Sequence, residues 1–105
     1  MIRHMVFWKF REGTEKEQEE FLSGLAGLYG VIPELKHCEV LRDSAGGENC
    51  DAALIADFED MEALERYKND PRHKAVSALC KSIRLSRYAV DAEMGAENPA
   101  FVQNV

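Results

Sequence analysis

The stretch "IRHMVFWKF", residues 2–10, decides the fold. Its side chains alternate with period two. One face carries Ile2, His4, Val6, Trp8 and Phe10, and the other carries Arg3, Met5, Phe7 and Lys9. That period and the aromatic content predict a β-strand. Both faces are apolar at their centres, so both need cover. A layer of helices supplies one cover, and the second must come from another surface.

Working outward, "REGT" is a turn. Thr14 and Glu17 then have the T-x-x-E spacing of a capping box, which predicts a helix start. Phe21, Leu22, Leu25, Leu28 and Tyr29 recur at helical spacing as one apolar stripe. Gly24 and Gly27 lie inside this helix at a propensity cost of about 1 kcal/mol each, and close approach to a sheet is the expected reason. Gly30 and Pro33 end the helix. "ELKHCEVLRD" (34–43) reads as a second strand, "SAGGEN" (44–49) as a loop, and "CDAALIADF" (50–58) as a third strand. "EDMEALERYKN" is a short helix with Met61, Leu64 and Tyr67 at three-residue spacing. Asp70 caps and Pro71 opens a further helix, whose stripe is Val76, Leu79, Cys80 and Ile83. "IRLSRYAVD" (83–91) alternates again as the fourth strand. The domain is expected to span residues 1–92. Residues 93–105 form a tail in which Phe101 and Val102 offer apolar groups for docking.

The order is β-α-β-β-α-β, with the second helix broken at Pro71. This is the ferredoxin-like α+β pattern, a four-stranded antiparallel sheet with helices on one face. An apolar second face marks an interaction surface. Two such sheets facing each other make a dimeric α+β barrel with a shared interior, so a homodimer is expected.

The 105 residues suit one domain, and a domain this small gains from the cover of a partner subunit. A net charge of −6 repels phosphate backbones and argues against nucleic-acid binding. Cys38, Cys50 and Cys80 are odd in number and show no C-x-x-C spacing, which fits a reducing cytosol and a cytoplasmic protein. Charges interrupt the apolar N-terminus, so neither a signal peptide nor a membrane span is expected. His4, His37 and His73 lack ligand spacing, and "SAGGEN" lacks the order of a phosphate loop. No metal and no cofactor are expected.

An ordered set of features resembles the Dabb family, the stress-responsive A/B barrel domains. The set comprises "IRHMVFWKF", "IPELK", "DAALIADFEDMEALERY", the Y-x-x-x-P-x-H of Tyr67, Pro71 and His73, and the "YAVD" ending at Asp91. Together they cover residues 2–91. The resemblance implies a dimer similar in fold to antibiotic-synthesis monooxygenases. Most members have no assigned reaction. One plant member is a polyketide cyclase in which the Tyr and His of Y-x-x-x-P-x-H act on the bound polyketide near the strand-1 His. Those roles would fall on Tyr67, His73 and His4. This chain departs from the pattern at Asp70, where the family often has His. It also carries Leu25 and Ala52 where the cyclase pocket has a Tyr and a His.

With Asp70 as N-cap, His73 is the third helical residue. The positive helix end disfavours imidazolium there, while the Asp70 charge favours it. A Tyr–His pair could deprotonate a carbon acid and stabilise an enolate. Three readings stay open. The chain binds a small, partly apolar or carbonyl-containing ligand, in a pocket of Val6, Trp8, Leu25, Ala52 and Leu54 near the barrel interior, with His4, Tyr67 and His73 at its rim. Alternatively it is a cofactor-free cyclase, isomerase or oxygenase. In the third reading Tyr67 and His73 only pack a corner of a structural dimer.

Overall fold

The computed structural model describes residues 1–95. Four strands and three helices follow one another as β1 (Ile2–Phe10), α1 (Glu15–Ala26), β2 (His37–Arg42), β3 (Ala52–Phe58), α2 (Met61–Asn69), α3 (Pro71–Ile83) and β4 (Arg84–Glu93). The strands form one antiparallel sheet in the order β2-β3-β1-β4. This is the ferredoxin-like arrangement. Phe101 and Val102, expected as docking groups of the tail, lie outside the described residues.

The register settles which face of β1 is which. Ile2, His4, Val6 and Trp8 pair with Phe58, Ala56, Leu54 and Ala52, and all eight are buried beneath the helices. Arg3, Met5 and Phe7 pair with Asp57, Ile55 and Ala53 on the face that carries no helix. Tyr88 and Val90 of β4 stand beside Phe7 and Met5 there, and both are exposed. Arg3 grips Asp57 at the edge of that face through two bonds of 2.9 Å. That grip holds the Asp57 carboxyl below its ordinary range. The open face is therefore apolar at its centre and ionic at one end.

Several local expectations need correction. Thr14 is the N-cap residue of α1 but its side chain makes no capping bond, because its backbone (φ −110°, ψ 24°) turns the hydroxyl backward. The hydroxyl donates to the Arg11 carbonyl at 2.6 Å and accepts from Gln18 Nε2 at 3.0 Å. The helix α1 ends at Ala26, so Gly27 is its cap. Tyr29 is more than half exposed, while Ile32 and Leu35 carry the core onward. Gly24 approaches α3 and not the sheet, since a Cβ there would meet Val76 Cγ2 at 3.4 Å.

The corner after Tyr67 is built on one residue. The Asp70 N–H donates to the Tyr67 carbonyl at 3.2 Å and closes α2. Its carboxylate accepts from the Arg72 N–H at 2.8 Å and opens α3, with Pro71 at the first helical position. The Arg72 guanidinium also clamps that carboxylate, whose pKa falls to about 2 mainly for this reason.

Candidate functional site

The sheet-to-helix interface is not completely filled. A cavity of about 40 Å³ lies between β1, β4, α1 and α3. Its deep wall is apolar and comes from Val6, Trp8, Phe21, Leu25 and Leu54. His4 joins that wall from β1 and His73 from the first turn of α3. Ser77, Arg84 and Arg87 line the cavity from α3 and β4 and are less buried than the deep wall.

These positions answer the sequence reading residue by residue. The pocket is not in the barrel interior, because His4, Val6, Trp8 and Leu54 point away from the open face of the sheet. It lies inside one subunit, under the helices. Val6, Trp8, Leu25 and Leu54 line it together with His4 and His73. Ala52 is buried in the core below and is not part of the wall. Tyr67 is also outside the wall. Its ring lies 4.5 Å from the His73 ring and 4.9 Å from Phe58, so it backs His73 from behind. The Tyr67 hydroxyl and Trp8 Nε1 are buried with no hydrogen-bond partner among the described residues. Burial drives the Tyr67 phenol pKa far upward. His37 is on the open-face side of β2, paired with Glu39 at 2.7 Å.

Two features of this site escaped the sequence reading. The first is a partner for His4. Its Nδ1–H donates to Asp91 Oδ1 at 2.5 Å across the β1–β4 pairing, in which these two residues stand opposite each other. Asp91 therefore fixes the tautomer and leaves the Nε2 lone pair free. His73 is oriented likewise, with Nδ1–H donating to the Lys68 carbonyl at 3.2 Å. The second is the pair of arginines. Arg84 and Arg87 are three apart, which in a regular strand would send them to opposite faces. A register shift between Lys9 and Phe10 changes this: Trp8 pairs with Arg87 and Phe10 with Arg84. Both arginines thus reach the helix side. Their odd spacing hid them.

Burial is the largest influence on both imidazoles and lowers both pKa values below the ordinary 6.5, against the opposing pull of Asp91 on His4 and of the Lys68 carbonyl on His73. Asp70 sits in a clamp with Arg72, and burial outweighs its pull on the His73 imidazole. The folded state then binds fewer protons than the unfolded chain below pH 6.5. Stability is full above that value and falls as pH drops through it. Urea midpoints measured between about pH 5 and 7.5 should decline on the acid side, and His73→Gln should flatten the decline. A midpoint that rises on acidification would show that the imidazoles are not held neutral.

A ferredoxin-like sheet with one helical face, one bare apolar face and a cleft beneath β1 defines an α+β barrel domain. The comparisons agree. The stress responsive A/B barrel domain, Dabb, matches residues 2–94, and the chain belongs to this family. Uncharacterized protein SCO4036 of Streptomyces coelicolor is 31% identical over 83 residues, covering 75% of this chain and 86% of that protein. A dimeric ferredoxin-like protein of unknown function from Thermobifida fusca superposes with a TM-score of 0.79 at 27% identity, covering 89% of this chain and 90% of the other. A Dabb protein with a ferredoxin-like fold from Mesorhizobium loti gives a TM-score of 0.73 at 24% identity, covering 90% and 97%. No helix among the described residues is long and apolar enough to cross a membrane. No group of three metal-binding side chains occurs among them.

Proposed function

We propose that this Dabb protein is a homodimer that binds a small, partly apolar molecule in the cleft of each subunit, with His4 and His73 receiving its polar hydrogen. The observation that carries the reading is the buried His4 imidazole in the cavity wall, held from its Nδ1 side by the more exposed Asp91. An imidazole held there with a free Nε2 has no packing partner for that lone pair. A ligand O–H or an acidic C–H beside a carbonyl would supply one. The dimer rests on the bare apolar face of Phe7, Tyr88 and Val90 and on the dimeric relative from Thermobifida fusca. The cytoplasm suits its free cysteines.

Imidazole NMR resonances test the binding reading. Small ketones, alcohols and acids are titrated into the protein and into Ser77→Leu, which fills the cleft. At least one compound should move the His4 and His73 signals together, and the variant should abolish the response. Compounds that move only His37 would sink the reading.

A second reading is favoured by the same carboxylate–imidazole pair. His4 Nε2 would act as a general base on a carbon acid, and Asp91 would stabilise the imidazolium that forms. This predicts faster exchange of α-protons of a bound ketone into heavy water, slowed by Asp91→Asn.

A further inference from the structure

The charge of the cleft says what kind of molecule enters it. The chain carries 19 acidic against 13 basic residues, yet among the described residues no carboxylate lines this cavity. Asp91, the carboxylate bonded to His4, is committed to that imidazole. Arg3, Arg42, Arg66 and Arg72 each sit against an acidic partner. Arg84 and Arg87 have no ion-pair partner among the described residues, and both border the cleft. Arg87 is exposed and Arg84 is half-buried, so they stand at the mouth. The deep wall is mainly hydrocarbon, from Val6, Phe21, Leu25 and Leu54, with the imidazoles of His4 and His73 set into it.

Accordingly, we propose that the cleft takes a short-chain carboxylate, its apolar end inward and its anionic end between Arg84 and Arg87. This rests on the reading of the cleft as a ligand pocket beside His4 and His73 and adds the chemical class of the occupant; with an anionic occupant the hydrogen that the imidazoles receive is a proton taken up from solvent on binding. The size fits. A site of about 40 Å³ has room for a few water-sized groups, since one water needs about 10–15 Å³. A three-carbon tail fills that space, and a larger acid would leave its remainder outside. Guanidinium is the side chain best matched to a carboxylate, because its planar donors reach both oxygens at once. The register shift that turns Arg84 to the same side as Arg87 makes a two-armed clamp possible. An anion at the mouth also favours the protonated form of the neighbouring imidazoles. Binding should therefore draw a proton onto His4 or His73 and tighten as the pH falls.

Butyrate and butyramide separate the outcomes, because they share a shape and differ in charge. Each is titrated into the full-length protein while the imidazole resonances are followed. Butyrate should shift His4 and His73 and bind at least about ten-fold more tightly than butyramide. Arg87→Gln and Arg84→Gln should each weaken butyrate by about ten-fold and leave butyramide unchanged. Arg87→Gln changes an exposed side chain, so the fold is retained. Equal binding of the two probes, or butyrate binding indifferent to both substitutions, would overturn the anion assignment while leaving the ligand pocket standing. If neither probe moves either imidazole, the pocket reading falls as well.

Discussion

A double variant, Phe7→Glu with Tyr88→Glu, should sediment as a folded monomer at concentrations where the unsubstituted chain should form the proposed dimer. Phe7 and Tyr88 are neighbours across β1 and β4 at the centre of the bare sheet face. Their side chains point away from the core of their own subunit, and Tyr88 is 70% exposed there. Substitution therefore costs little within the subunit. Against a facing copy the effect is large, because each unpaired carboxylate taken out of water costs about 3–5 kcal/mol. Two per subunit should weaken the dissociation constant by at least about a thousand-fold. Sedimentation equilibrium, with circular dichroism as the folding control, reads this directly. A dissociation constant unchanged by the double substitution would place the dimer contact elsewhere.

The second large effect separates two substitutions at one residue. Tyr67→Ala should cost about 3–5 kcal/mol, since it removes a fully buried ring. That is a large share of the roughly 5–15 kcal/mol that holds a domain together. It also removes the surface that backs His73. Tyr67→Phe should be neutral or stabilising by about 1 kcal/mol, because the hydroxyl it deletes is buried and unpartnered. Urea unfolding of the two variants measures both. A Tyr67→Phe variant that loses more than about 1 kcal/mol would reveal a partner for the hydroxyl, such as an enclosed water.

What the sequence made legible was local. The alternation of residues 2–10 and the break at Pro71 each rest on neighbours a few positions apart, so the strand, the corner and the proximity of Tyr67 to His73 were readable. The face that holds the site was not. Both sides of β1 are apolar at the centre, and only the packing of α1 and α3 decides which one is roofed. The Asp91–His4 bond spans 87 positions and exists only through the β1–β4 register. That Arg84 and Arg87 share one side of β4 depends on a single irregularity in that same register. Thr14 misled for a related reason: the right residue types stood at the right spacing, but the backbone angles at the helix entrance turned the hydroxyl away.

The connections of α3 have a mechanical consequence. One residue, Asp70, joins it to α2, and at its far end Ile83 is followed directly by Arg84 of β4. A helix clamped at both ends has no slack with which to slide or swing. The roof of the cleft is thus held at both ends, and the proposed carboxylate would have to fit the opening as it stands. The adjustable parts are the side-chain torsions of Arg84 and Arg87, so in the proposed mode of binding tolerance should vary with the length of the part of the ligand that stays outside and very little with the width of the part that goes in.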